Sequence, residues 1–478
     1  MHLHILDDDS LLQIFNYYRL YHEKNWNLRH TWRTLAQVCR RWRRLICESS
    51  FHLDMRLLLT NDSPSIDTLS HLPPLPLVVD FSDITRTMAR KDENNIRLAL
   101  QQHGRVRQIV LRAPSSSLHA WLTQMNKVFP RLRDLSLSST TTEQTSPVLP
   151  ETFQAPDLRH LSLHGVDSPI GLPLLSFTIA LSTLSLTHIG AASYFPPGLL
   201  VTHLRGLPHL EELSIGFAIP IPLPGSEGEL LPAPMSPIKL PSLRQLTFRG
   251  LDVYLDNLVA QINTPLLKQF NITLFFDLTF TLVNLTKFIR RTEGFRCLVS
   301  RVMFKKDGAL VDVGHYEKCN IANIGKLSLH INCTPLDWQI DSATQVCGAL
   351  GNVMSTIEDL TIDLDAHEMP LDWKNTLDST MWHALLLPFI GVEKLHIGFS
   401  LTHELHRALK PVAGGLVAGL LPELQKLEVH PKSLFSEFIK ARNSVGRPVD
   451  LLAVPSRRRR KSRARALNAL ASGMSQES

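Results

Sequence analysis

Twelve times between residues 106 and 429 the chain repeats a hexad of the form L-x-x-L-x-L, with Ile, Val or Phe allowed at the fixed positions. The hexads begin at Val106, Leu132, Leu158, Leu181, Leu210, Leu243, Leu267, Val299, Ile324, Ile357, Val392 and Leu424, at intervals of 26, 26, 23, 29, 33, 24, 32, 25, 33, 35 and 32 residues. The fourth and sixth residues share one face of an extended segment, and the residue between them turns to the other face. A unit this short cannot bury its apolar face alone, so neighbouring units must stack, strand beside strand. Proline stands two positions before the hexad at Pro130, Pro156, Pro208, Pro241, Pro265 and Pro422. It is expected to end the preceding helix or turn and to start the chain extended. Intervening segments such as Asn94 to Leu100 and Leu118 to Val128 read as helical. A first edge strand is expected in Leu72 to Leu77, where proline is tolerated.

The residue between the last two apolar positions forms its own series along the array. It runs Val110, Ser136, Ser162, Ser185, Ser214, Thr247, Asn271, Met303, Ser328, Thr361, His396 and Glu428. In a curved stack this row lines the inner face. Small polar residues fit there for steric reasons, and they also offer hydrogen bonds to a protein partner. On the second reading the candidate substrate face is Ser136, Ser162, Ser185, Ser214, Thr247, Asn271, Ser328, Thr361 and His396. Its charge pattern would come from His160, His164, Glu212, Arg249, Lys326, His330, Asp359 and Asp363.

Ahead of the array the pattern changes. Leu6-Asp7-Asp8-Asp9-Ser10-Leu11-Leu12-Gln13-Ile14-Phe15 reads as a short helix with acids in its first turn. Further on, Val38, Cys39, Trp42, Leu45 and Ile46 are spaced as one apolar helical stripe, with Arg40, Arg41, Arg43 and Arg44 on the other side. This segment resembles an F-box: an opening Leu, an acidic stretch, "LLxIF", a variable middle, then Val38-Cys39-Arg40-x-Trp42-Arg43-x-Leu45. The hexads resemble an irregular leucine-rich-repeat array, although Val166, Ile189, Ala218 and Leu251 stand where the usual pattern has Asn or Cys. With Trp26-Asn27-Leu28-Arg29 ahead of Leu35-Ala36-Gln37-Val38-Cys39, the whole is similar to a large fungal family of F-box proteins. The resemblance implies a docking hook for a Skp-type adaptor of a cullin–RING ubiquitin ligase, and a repeat body that receives an unknown protein substrate. The adaptor-binding residues it implies are Leu6, Leu11, Leu12, Ile14, Phe15, Val38, Cys39, Trp42 and Leu45.

These readings predict an α/β chain. A short helical F-box-like hook occupies 1–55, and an irregular leucine-rich-repeat solenoid follows over 70–450, with a parallel concave sheet and helices and loops outside. A proline-rich mobile insertion interrupts it at 219–241, where the composition does not suit a packed core, and a disordered basic tail fills 455–478. The net charge of +6 matches seven basic residues against one acid after Pro455, which leaves the body neutral on balance. Arg457, Arg458, Arg459, Arg460, Lys461, Arg463 and Arg465 form a candidate nuclear-import signal, and the expected location is cytoplasm, nucleus or both. A neutral body argues against bulk nucleic-acid binding, the least favoured of the alternatives. No apolar run is long enough to cross a bilayer, so no membrane partner is expected. The six cysteines are scattered, as in a reduced compartment.

Enzyme signatures such as GxGxxG, GxxxxGK[ST], GxSxG and HExxH are missing, so the chain is read as a non-enzyme without cofactor or metal. His403 and His406 lie three apart on a predicted helix, and Asp363, Asp365 and His367 alternate on a predicted strand. Both sets read more simply as solvated faces than as cation ligands. A repeat scaffold with no ligase association is the main alternative function.

Overall fold

The computed structural model describes residues 6–23, 31–49, 57–60, 75–83, 85, 88–141, 146–169, 173–220, 237–292, 295, 298–314, 325–365, 378–410 and 420–453. The chain is mixed α/β and forms two compact units: one of residues 1–247 and 261–264, the other of residues 248–260 and 265–478.

The first unit opens with three helices, Asp8–Glu23, Thr31–Val38 and Arg40–Glu48. Its strands are β1 (Leu57–Leu59), β2 (Leu77–Phe81), β3 (Val106–Ala113), β4 (Asp134–Ser139), β5 (His160–His164), β6 (Thr183–Ile189) and β7 (Glu212–Phe217). They pair in chain order, all parallel. β8 (Ile238–Lys239) pairs with β10 (Ile262–Asn263) in a separate small sheet, and the division between units runs through β9 (Gln245–Gly250). Of the expected edge strand at Leu72 to Leu77, residues 72–74 lie outside the described residues, and the described part is corrected: β2 begins only at Leu77, and β1 pairs on its outer side. The 219–241 interruption also departs from expectation at its far end. Ile238 and Leu240 are buried there, beside the β8 pairing, while residues 221–236 lie outside the described residues.

The second unit carries β11 (Gln269–Phe275), β12 (Val299–Lys305), β13 (Gly308–Gly314), β14 (Lys326–Asn332), β15 (Asp359–Leu364), β16 (Lys394–Ile397), β17 (Lys426–Val429) and β18 (Asp450–Ala453). Their order is β11-β14-β13-β12-β15-β16-β17-β18. All pairings are parallel except those of β13, which runs antiparallel to both neighbours. Lys306 and Asp307 turn the chain between β12 and β13, and Gly308 pairs with Lys305 across the two-residue hairpin loop. Gly308 has φ +159°, and a Cβ there would overlap the Ile331 carbonyl oxygen, so only glycine fits.

Each of the twelve hexads leads into a strand, and its fixed residues are buried at most places, among them Leu135, Leu137, Leu161, Leu163, Leu246, Phe248, Leu360 and Ile362. The prolines act differently from the expectation. The amide of the first hexad residue donates to a carbonyl three residues back: Leu132 to Phe129, Leu158 to Ala155, Leu210 to Leu207, Leu243 to Leu240 and Leu424 to Leu421. Proline is therefore the second residue of a closed turn, which suits its fixed φ. The turn also forms without it, from Leu181 to Thr178, Ile357 to Met354 and Val392 to Phe389. Its first residue is buried in every case, including Phe129, Leu207, Leu240, Met354 and Phe389.

The two variable residues that follow link one repeat to the next. The Arg133 carbonyl accepts from both Arg159 and His160, that of Arg159 from Ser182 and Thr183, and that of Ser182 from Glu211 and Glu212. In the second unit the Glu358 carbonyl likewise accepts from Glu393 and Lys394, and that of Glu393 from Gln425 and Lys426. This link satisfies backbone groups at the strand entrance and fixes the x-x spacing of the hexad.

Candidate functional site

Two surfaces carry the candidate residues. The first is the N-terminal three-helix segment. Leu11, Phe15, Leu35, Ala36, Leu45 and Ile46 are buried and form its core, with Trp42 half-buried edge-on against Phe15 at 4.8 Å between ring centres. The single stripe from Val38 to Ile46 is corrected. The helix ends at Val38, and Cys39 adopts an extended backbone, with φ −158° and ψ 169°. Its Sγ accepts from the Trp42 amide at 3.4 Å and so caps a new helix. Only Trp42, Leu45 and Ile46 share the inner side of that helix.

The arginines are not all free in solvent. Arg41 donates through Nε and Nη2 to Asp8 Oδ1 at 3.0 and 2.6 Å and through Nη2 to the Leu6 carbonyl at 2.7 Å, fastening the third helix to the start of the first. Arg43 Nε donates to the Ala36 carbonyl at 3.0 Å across the helix break. Asp7 caps the first helix through the Ser10 amide at 2.7 Å, and this bonding holds its carboxyl below the usual range. Some apolar side chains stay outside this packed core. Ile14 is 43% exposed, Tyr17 76% and Val38 56%, with Leu12 half-buried. Ile14 and Tyr17 are three apart on one helix face.

The second surface is the polar face of the strands. In the first unit Ser136, Ser162, Ser185 and Ser214 stand directly opposite one another on β4 to β7, each half-buried. Thr247 ends this unit on β9. His160 Nδ1 meets Asp134 Oδ1 at 2.6 Å, and His164 Nδ1 meets Thr187 Oγ1 at 3.1 Å. The His164 and His188 rings meet edge-on at 4.9 Å, with His188 in the left-handed region at φ 59°. Burial, then His188 and Arg112, push the His164 pKa down.

In the second unit the row reads Asn271, Ser328, Asp312, Arg301, Thr361, His396, Glu428 and Leu452, each opposite the next. Met303 is displaced from it and pairs with Asp363. The Val299 hexad sits two residues out of step, so Arg301 takes the row position. Ser300 takes the core position opposite Leu360, fully buried, and donates to the Asp312 carbonyl at 3.2 Å. Charges interlock around this row. Ser328 Oγ donates to Asp312 at 2.5 Å, and Arg301 reaches Asp363 at 3.4 Å. Lys394 bridges Asp359 at 3.6 Å and Glu428 at 3.2 Å, and His396 Nδ1 meets Glu428 at 3.2 Å. Arg249 lies over the Phe275 ring at 5.6 Å, and His330 Nε2 is 3.9 Å from Asp307. Sequence reasoning missed Asp312 because its strand carries no hexad; the Asp-Gly dipeptide at Asp307 and Gly308 was the available signal.

The other sequence candidates are dispersed. His406 packs edge-on against Phe435 at 5.6 Å while His403 is exposed, and Asp363 bonds its own neighbour's amide as well as Arg301. His367 and the basic segment from Arg457 to Arg465 lie outside the described residues. Among the described residues no group of three or more His, Cys, Asp or Glu is placed to hold a metal ion. Burial raises the thiol pKa of Cys333 to about 11. No described helix is long and apolar enough to cross a membrane. No protein-family model and no curated protein matches this chain.

Proposed function

We propose that the chain is a non-catalytic substrate receptor of a Skp–cullin–F-box ubiquitin ligase. On this reading the three N-terminal helices are an F-box that docks the Skp-type adaptor, and the body is an irregular leucine-rich-repeat solenoid that holds a protein substrate. The observation that carries the reading is the division of apolar residues in the helical segment. Leu11, Phe15, Leu45 and Ile46 already fill its core, yet Ile14, Tyr17 and Val38 remain in water beside it. Exposed apolar residues next to a packed core mark a docking surface better than a mere cap. The hydroxyl and charged rows support the second half of the reading, because strand faces of this kind bind by hydrogen bonds and charge pattern. The receptor then supplies proximity, and the ubiquitin transfer is carried out by other subunits.

Affinity purification of the chain from its own cells tests this. An adaptor and a cullin should co-purify, and both should be lost with Val38→Asp. A repeat scaffold without a ligase is the second reading, favoured by the ties from Arg41 to Asp8 and Leu6 that make the helices a self-contained cap. It predicts co-purifying proteins with neither adaptor nor cullin among them. Import through the basic segment is proposed as well, and a fluorescent fusion lacking residues after Val454 should shift from nucleus towards cytoplasm.

A further inference from the structure

The second unit carries an apolar patch away from the polar row. The Trp338 and Phe276 rings are stacked with centres 4.9 Å apart and planes 9° from parallel. This covers one face of the indole and leaves the residue 48% exposed. Leu278, two residues beyond Phe276, is 74% exposed. The patch is built rather than accidental. Gln345 donates from Nε2 to the Leu278 carbonyl at 2.9 Å and accepts from the Phe280 amide at 3.3 Å, which clamps the 276–280 segment to helix Leu336–Ala349. The same Nε2 donates to Asp341 Oδ2 at 2.8 Å. Trp338, Asp341 and Gln345 follow one another at i, i+3 and i+7 and so share one side of that helix.

The rim is acidic. Asp277 and Asp341 are exposed, Asp337 is half-buried, and none of the three forms an ion pair with a described residue. An open indole face beside unpaired carboxylates is complementary to a group that is planar, cationic and a multiple donor. Guanidinium is that group: it stacks on an indole and bonds a carboxylate with two parallel N–H groups, whereas an ammonium does the first less well and the second not at all.

We infer that the patch of Phe276, Leu278 and Trp338, rimmed by Asp277, Asp337 and Asp341, docks an arginine-bearing segment of a protein partner. The patch shares no residue with the adaptor surface, so either can fail without the other.

Calorimetric titration of the full-length chain with an arginine–serine decapeptide, and with its lysine–serine counterpart, tests the inference. The arginine peptide should bind, and the lysine peptide should bind several-fold more weakly. Trp338→Ala, and Asp277→Asn combined with Asp341→Asn, should each weaken the arginine peptide by about tenfold, whereas Trp338→Phe should retain most of the affinity. Melting temperatures of the variants guard against misfolding, since the altered groups are largely in solvent. No binding by the wild-type chain or by the chain with Arg457, Arg458, Arg459 and Arg460 changed to Gln, equal affinity for the two peptides, or indifference to Trp338→Ala would overturn the site. Binding that appears only after Arg457, Arg458, Arg459 and Arg460 are changed to Gln would give the patch to the chain's own basic segment and overturn its assignment to a partner.

Discussion

The two units solve one crowding problem in opposite ways. Parallel strands stand about 4.8 Å apart, so the residues of an in-register row are pressed together on the polar face. The first unit uses small neutral groups, with Ser136, Ser162, Ser185 and Ser214 side by side. The second unit sets charged residues among small ones so that opposite signs meet, with Asp312 opposite Arg301 and His396 bonded to Glu428. Beside the row, Lys394 lies between Asp359 and Glu428. The backbone rules are shared: the same closed turn precedes the hexads and the same doubly accepting carbonyl links successive repeats within each unit. The fold therefore leaves the row free to vary. The serine column offers an uncharged hydrogen-bonding strip, and the charged row offers a pattern able to reject wrong partners.

The shared turn makes the largest prediction. Phe129 and Phe389 begin turns in the first and second unit, and both are fully buried. Phe129→Ala and Phe389→Ala should each cost about 3–5 kcal/mol, the usual range for a lost core phenylalanine. Denaturant unfolding with hydrogen exchange resolved by unit would measure it. A large loss in one unit and a trivial one in the other would break the claim that both are built alike.

Acid should destabilise both units. The pKa values of His164 in the first unit and His330 in the second are pushed below the ordinary 6.5, mainly by burial. The unfolded chain then binds more protons than the folded one as pH falls below 6.5, so stability declines in that direction until the lower folded value is passed. Melting temperature should drop between pH 7.5 and 5.5. The combined change of His164→Gln and His330→Gln should flatten that dependence, and an unchanged slope would contradict the burial account.

The polar groups of the strand faces should matter least for stability. Lys394→Met removes two half-buried ion pairs and should cost about 1 kcal/mol, less at high salt. Ser185→Ala should cost only about a few tenths, because its hydroxyl is half open to water. If Ser185→Ala proved the costlier of the two, the serine column would be a structural ladder rather than a free surface.

Much of this organisation is legible in the sequence, because the hexad encodes backbone mechanics as well as burial. What escaped reading has identifiable physical causes. β13 runs antiparallel, needs no linking carbonyl and so has no hexad. The Val299 hexad is legible but two residues out of step, since Ser300 fills a core position through its bond to the Asp312 carbonyl. The helix break at Cys39 was hidden because cysteine is not among the usual capping residues, and the apolar spacing continues across it. Burial within the N-terminal helices could not be read either. Spacing groups Leu11, Phe15 and Leu45 with Ile14 and Val38, and only packing separates core from surface.

The most direct test of the receptor account is the affinity of the purified full-length chain for a purified Skp-type adaptor, measured for wild type, Val38→Asp and Ser162→Ala together with their melting curves. The account predicts tight binding by wild type and Ser162→Ala. It predicts a loss of about thirtyfold or more with Val38→Asp, at an unchanged melting temperature because Val38 lies outside the core. Failure of the folded wild-type chain to bind any Skp-type adaptor, or undiminished binding by Val38→Asp, would contradict it.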